Sequence, residues 1–144
     1  MDEYKEPHFA KKHPADRKPK EEVIAAIREK SLDNEMPCAV AFDIAAQLKV
    51  EPSEVGFAAD YLELRLVKCQ LGLFGYKPQK SIVKPSENVP PLLEQAIREQ
   101  LVDGRLPCKH AWAIASKLGL RKMEVSSACE TLGIKITACQ LGAF

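Results

Sequence analysis

No apolar run in the 144-residue sequence approaches the roughly 20 residues that span a bilayer, so no membrane partner is expected. Histidine is scarce: His8, His13 and His110 are the only three, and none stands in a pattern with a nucleophile. A glycine-rich phosphate loop and an acidic cluster are missing as well, which points away from an enzyme and calls for no cofactor. Charge of one sign is not in excess, since 21 Lys and Arg face 20 Asp and Glu. That balance falls short of the basic excess usual in dedicated DNA-binding domains. There is no C-x-x-C pair, and five cysteines cannot complete a disulfide framework. The start Met1-Asp2-Glu3-Tyr4 is charged where a secretory leader would be apolar. Reduced thiols in a cytoplasm are therefore expected.

What the sequence does contain is an internal duplication. Residues 23–74 and 93–144 align at a constant offset of 70 without a gap, with 20 identities over 52 positions. Ala26-Ile27-Arg28-Glu29 repeats as Ala96-Ile97-Arg98-Glu99, and Pro37-Cys38 as Pro107-Cys108. The copies close on Cys69-Gln70-Leu71-Gly72 and Cys139-Gln140-Leu141-Gly142, with Phe74 matching Phe144. Composition then divides the chain into a charged, proline-containing arm (1–19), repeat 1 (20–74), a proline-rich linker (75–90) and repeat 2 (91–144). The arm is expected to be poorly ordered when free.

Each repeat reads as three helices followed by one strand. Apolar residues at three- and four-residue steps predict helices over about 20–32, from Pro37 to Leu48, and from Pro52 to Glu63, with matching helices in repeat 2. Their shared inward set is Ala41, Ile44, Ala45, Leu48, Val55, Ala58 and Leu62, and it recurs 70 residues later. The alternating residues Leu64–Val67 and Ile134–Ala138 predict strands that run into the Cys-Gln-Leu-Gly segments. A lone strand leaves backbone groups unpaired. The two strands are therefore expected to pair with each other across a pseudo-twofold axis, joining the repeats into one domain. The fold class is mainly α with a minor β element.

In repeat 2 the second and third helices carry a further pattern. Ala115 is a small residue where two helices would cross, Gly119 stands four residues later where the chain turns, and Val125 follows six residues beyond as an apolar plug. Ile114, Leu118 and Ala128 complete the set. This spacing resembles the helix-turn-helix superfamily, with the trailing strand similar to a reduced winged helix. Repeat 1 departs at the turn, where Lys49 replaces the glycine. The resemblance implies a DNA-binding or transcription-regulatory protein that contacts duplex DNA with the outward face of the third helix.

Those faces differ between the repeats. Glu51, Pro52, Ser53, Gly56, Phe57 and Asp60 in repeat 1 correspond to Arg121, Lys122, Met123, Ser126, Ser127 and Glu130 in repeat 2. By segment, the net charges are +2 for residues 1–20, −5 for 21–74, +2 for 75–90 and +2 for 91–144. Phosphates and base edges want donors and positive charge. The expected contacts are therefore Arg121, Lys122, Ser126 and Ser127, joined by Lys11, Lys12, Arg17 and Lys18 of the arm. Two other readings stand beside this one. Acidic repeat 1 could serve a protein partner in an accessory module. Alternatively, the symmetric thiols Cys38, Cys69, Cys108 and Cys139 could hold a metal or sense redox state. Their separation along the chain instead favours buried, inert thiols and no metal.

Overall fold

A computed structural model describes residues 9–14 and 17–144, and the chain divides into two compact units. Their boundaries are not those of the repeats. Unit 1 contains the described residues up to Val67 together with Leu141–Ala143. Unit 2 contains Lys68–Gln140 and Phe144. The closing Cys-Gln-Leu-Gly of repeat 1 thus belongs to unit 2, and Leu141-Gly142 of repeat 2 belongs to unit 1. The exchange is reciprocal.

Unit 1 holds α1 (Glu21–Lys30), β1 (Glu35–Pro37), α2 (Cys38–Leu48), α3 (Pro52–Tyr61) and β2 (Arg65–Val67). Unit 2 repeats the order with α4 (Pro91–Glu99), β3 (Leu106–Pro107), α5 (Cys108–Leu118), α6 (Lys122–Leu132) and β4 (Ile136–Thr137). The fold is mainly helical with a few short strands. The predicted pairing of the two trailing strands with each other is overturned. Each pairs in parallel inside its own unit: Glu35 with Arg65, Met36 with Leu66 and Pro37 with Val67, then Leu106 with Ile136 and Pro107 with Thr137. The partner strands escape detection in the sequence because two or three residues cannot show an alternation. The two intervening helices provide the long crossover that parallel strands require.

Pro37 and Pro107 end these short strands and stand as extended N-caps, so α2 and α5 start one residue later than expected. The turns out of α2 and α5 match the pattern read from the sequence. Lys49 and Gly119 both adopt the left-handed conformation, at φ 55° and 68°. The shared apolar set is indeed inward. In unit 1, Val23, Ile27, Ala41, Ile44, Val55 and Ala58 are fully buried. Leu93, Ile97, Ile114, Ala115, Val125 and Ala128 play the same parts in unit 2, where Cys69 and Leu71 join them. Each buried aliphatic side chain contributes about 1.5–3 kcal/mol of transfer free energy.

The Cys-Gln-Leu-Gly segments are turns rather than core strands. In unit 2 the N–H of Cys69 donates to the Phe74 carbonyl at 3.2 Å, and that of Cys139 to the Phe144 carbonyl at 3.0 Å. The two phenyl rings meet edge to face, 6.0 Å between centroids. The same turns drive Leu71 into unit 2 and Leu141 into unit 1, each essentially inaccessible to solvent.

The arm is folded where it is described. Phe9–Lys12 form a 3-10 helix in contact with α3, where disorder was expected. Its first two N–H groups, on Phe9 and Ala10, donate to the Glu63 carboxylate at 2.8 and 3.0 Å. Opposite charge explains the docking, since a net-positive segment meets the acidic repeat. His8 lies outside the described residues. Among the described residues, no helix is long and apolar enough to cross a membrane.

Candidate nucleic-acid interface

The outward face expected of α3 is largely covered, whereas that of α6 is buried only at Ser126. In unit 1, Gly56, Phe57 and Asp60 are all buried. A Cβ on Gly56 would stand 1.8 Å from the Leu141 carbonyl oxygen, so only glycine lets this turn approach so closely. Ser126 occupies the equivalent place in unit 2, and it is 1% exposed. Its hydroxyl donates to the Leu71 carbonyl at 2.6 Å and lies 3.1 Å from that of Met123. Ser126 is therefore a packing and hydrogen-bonding residue and is not available to a ligand. A small side chain at this position is what the tail of the other repeat requires.

Two of the cationic arm residues, Lys12 and Arg17, are engaged. Lys12 Nζ lies 3.2 Å from Asp60 Oδ2 and 3.1 Å from the Gly142 carbonyl, and His13 Nε2 is 2.7 Å from the same carboxylate oxygen. Arg17 sits over the Phe57 ring at 4.0 Å and 3.8 Å from Glu54. Lys11 and Lys18 are exposed. Two of the four arm residues expected at nucleic acid thus serve to hold the arm on unit 1. Sequence reasoning placed Phe57 and Asp60 outward because helix periodicity alone cannot see a segment arriving from the arm.

What remains open is the N-terminal end of α6. A cleft of ≈ 960 Å³ lies there, lined entirely from unit 2. Arg121, Lys122 and Ser127, three of the four expected repeat 2 residues, line it. Lys68, Gln70, Tyr76, Ser86, Trp112 and Ser116 also contribute, and the sequence reading missed all six. Lys68, Gln70, Tyr76 and Ser86 come from the tail and linker, which Ser86 fastens to α6. The Ser86 N–H donates to the Ser127 carbonyl at 3.2 Å, and the Thr131 hydroxyl to the Ser86 carbonyl at 2.7 Å. Tyr76 donates its hydroxyl to the Cys69 carbonyl at 2.6 Å, which fixes its ring.

Three cations therefore surround the cleft against a single carboxylate, Glu124. That carboxylate is occupied locally: it accepts the Arg121 N–H at 2.8 Å and lies 3.7 Å from the Arg121 guanidinium. The Arg121 side chain is 87% exposed and so remains free to turn toward a ligand. Lys122 Nζ is 4.3 Å from the centre of the Trp112 ring, the only tryptophan of the chain. The start of α6 is closed by a capping box between Arg121 and Glu124. Unit 1 has no counterpart to these charges on α3, since Glu51, Pro52 and Phe57 stand where unit 2 has Arg121, Lys122 and Ser127.

Four of the five cysteines are buried, and Cys139 is half-buried. Burial pushes the Cys129 thiol up to about 11, with the neighbouring Glu130 adding to the shift. Burial also raises Cys108, against the hydrogen bonds it receives from Gln140. Both shifts disfavour the thiolate that metal binding needs. Among the described residues, no three His, Cys, Asp or Glu side chains are grouped to hold a metal ion. The chain matches no protein-family model, no curated protein and no solved structure.

Proposed function

We propose that the chain is a non-enzymatic nucleic-acid-binding protein, DNA-binding and regulatory in the sense of the helix-turn-helix resemblance, acting through unit 2. The observation that carries this reading is the concentration of Lys68, Arg121 and Lys122 around one cleft at a helix N-terminus. Phosphate contacts at such a site supply affinity whatever the sequence bound. Free thiols agree with the reducing, cytoplasmic setting that belongs to this reading. The near-neutral chain is no obstacle, because the positive charge is local to the cleft while the negative charge is concentrated in repeat 1.

The test is an anisotropy titration of labelled duplex and single-stranded oligonucleotides between about 50 and 200 mM salt. Binding is expected to weaken steeply with salt. The double variant Arg121→Ala/Lys122→Ala should lower the slope of log K against log salt by about two, one for each phosphate that is no longer neutralised. Absence of binding to either form at about 50 mM salt would refute the proposal. It would favour the second reading, an accessory module with a protein partner. One observation supports that alternative: acidic repeat 1 already holds a basic, aromatic segment, its own arm, through Asp60, Glu63 and Phe57.

A further inference from the structure

We infer that the outer face of α3 in unit 1 is a docking site for a basic, aromatic segment of a partner protein, and that the chain's own arm is its resident occupant. The partner segment matches the arm's chemistry: an aromatic ring followed by basic side chains at the spacing of Phe9, Lys12, His13 and Arg17. This goes beyond the nucleic-acid reading, which concerns unit 2, and gives the protein-partner alternative a surface.

The receiving side is built for such a segment. Asp60 is only 5% exposed, and the groups on its carboxylate, Lys12 Nζ at 3.2 Å and His13 Nε2 at 2.7 Å, both come from the arm. A carboxylate buried without such partners is costly, so whatever replaces the arm must bring a cation to this point. Phe57 lies beneath the arm as well. The His13 ring meets it edge to face at 4.7 Å between centroids, and the Arg17 guanidinium stands 4.0 Å from its centre. Glu63 accepts the first two N–H groups, a contact open to any segment that enters as a helical turn. The set is peculiar to unit 1, because Ser127, Glu130 and Gly133 stand at the matching positions of unit 2, with Glu130 exposed.

The occupant is held in a way that allows exchange. No residue of the Phe9–Lys12 helix is itself buried, although Phe57 and Asp60 beneath the arm are. Residues 81–83 stand 70 positions after residues 11–13, and there the fastening is mostly backbone. The N–H groups of Ile82 and Val83 and the Ser81 hydroxyl donate to the Gly72 carbonyl at 2.9, 3.3 and 3.1 Å. The matching carbonyl of unit 1, on Gly142, takes the Lys12 ammonium at 3.1 Å instead. The Lys12 and Arg17 side chains are 42% and 48% exposed, and ion pairs so open to water contribute little and weaken with salt. A strap held by side chains is one that another segment with the same side chains can replace.

The probe is a labelled peptide copying residues 7–20, followed by anisotropy at about 50 mM salt. The wild-type full chain should bind it weakly, because the attached arm fills the site. In the full chain, Lys12→Ala/Arg17→Ala loosens that arm and should tighten peptide binding by about tenfold or more, as the open fraction rises. Adding Asp60→Asn should remove the gain. Thermal melts establish that each variant is folded, and Phe9→Ala replaces the double variant if that one melts early. Equal peptide affinity in the wild-type and loosened chains, or equal binding of a scrambled peptide of the same composition, would overturn the inference. A wild-type dimer in sedimentation that the loosened variant loses would assign the site to a second copy of the chain and overturn it as well. The assay contains no nucleic acid, so its failure and that of the unit 2 reading are told apart.

Discussion

At the scale of single residues, the 70-residue offset separates packing from specialisation. Cys129 has Ala59 as its counterpart, and both are buried in the third helix of their units. The thiol is held at about 11 by burial, while in an unfolded chain it titrates near 8.5. A pKa raised on folding stabilises the fold fully below the unfolded value and loses that contribution as pH rises toward the folded value. Stability should thus fall between about pH 8.5 and 11, by at most about 3 kcal/mol from this group. Cys129→Ala should flatten that part of the curve relative to wild type, as read by urea midpoints at pH 8 and pH 11. Identical pH dependence in the two proteins would show that this thiol is not the source. Cys139, the half-buried thiol, should be the first to react with an aromatic disulfide reagent. Legibility in the sequence also divides at this scale. Arg121 and Lys122 are readable because charge at a helix N-terminus needs no partner to be recognised. Ser126 is not, because its acceptor, the Leu71 carbonyl, is 55 residues away and backbone atoms leave no trace in residue type.

At the scale of elements, the helices follow from periodicity, and the left-handed turn at Gly119 from its residue type. The strands β1 and β3 do not, since Glu35–Pro37 and Leu106–Pro107 are too short for a pattern and end in proline. The docked arm is hidden too, yet it leaves a signal at the end of α3. Glu63 adopts φ 57° where its counterpart Gly133 has φ 69°. A left-handed non-glycine residue costs roughly 1–2 kcal/mol. Glutamate is explained there by what its carboxylate does, which is to accept the two leading N–H groups of the Phe9–Lys12 helix. Glu63→Gly should therefore change global stability by less than about 1 kcal/mol, as relief of backbone strain offsets the missing hydrogen bonds. The arm itself should loosen, with faster trypsin cleavage after Lys11 and Lys12 at an unchanged melting temperature. If cleavage stays as slow as in wild type, Glu63 does not hold the arm.

At the scale of the whole molecule, the repeat is a unit of sequence and not of folding. The Leu-Gly that closes each Cys-Gln-Leu-Gly segment is the part that each repeat places in the other's unit. Its identity in both copies is accounted for by equivalent sockets, Gly56 in one and Ser126 in the other. Periodicity along one copy could not reveal this, because a turn inserted from elsewhere fills a helix face in the same way that a ligand would. The consequence can be tested on fragments. Residues 91–144 contain every helix of unit 2 but lack Cys69 and Leu71, which belong to its core. They also leave the buried Ser126 hydroxyl without its acceptor at Leu71. Losing a fully buried leucine side chain costs about 2–5 kcal/mol, and an unsatisfied buried hydroxyl about 1–3 more. A unit this small has little more than that to lose, since domains of ordinary size are stable by only about 5–15 kcal/mol. A chain of residues 91–144 should accordingly show no cooperative thermal transition by circular dichroism, whereas residues 68–144 should melt cooperatively. Equal melting temperatures for the two fragments would mean that the repeat folds by itself, and that the exchanged tail is an ornament of the fold instead of a part of its core.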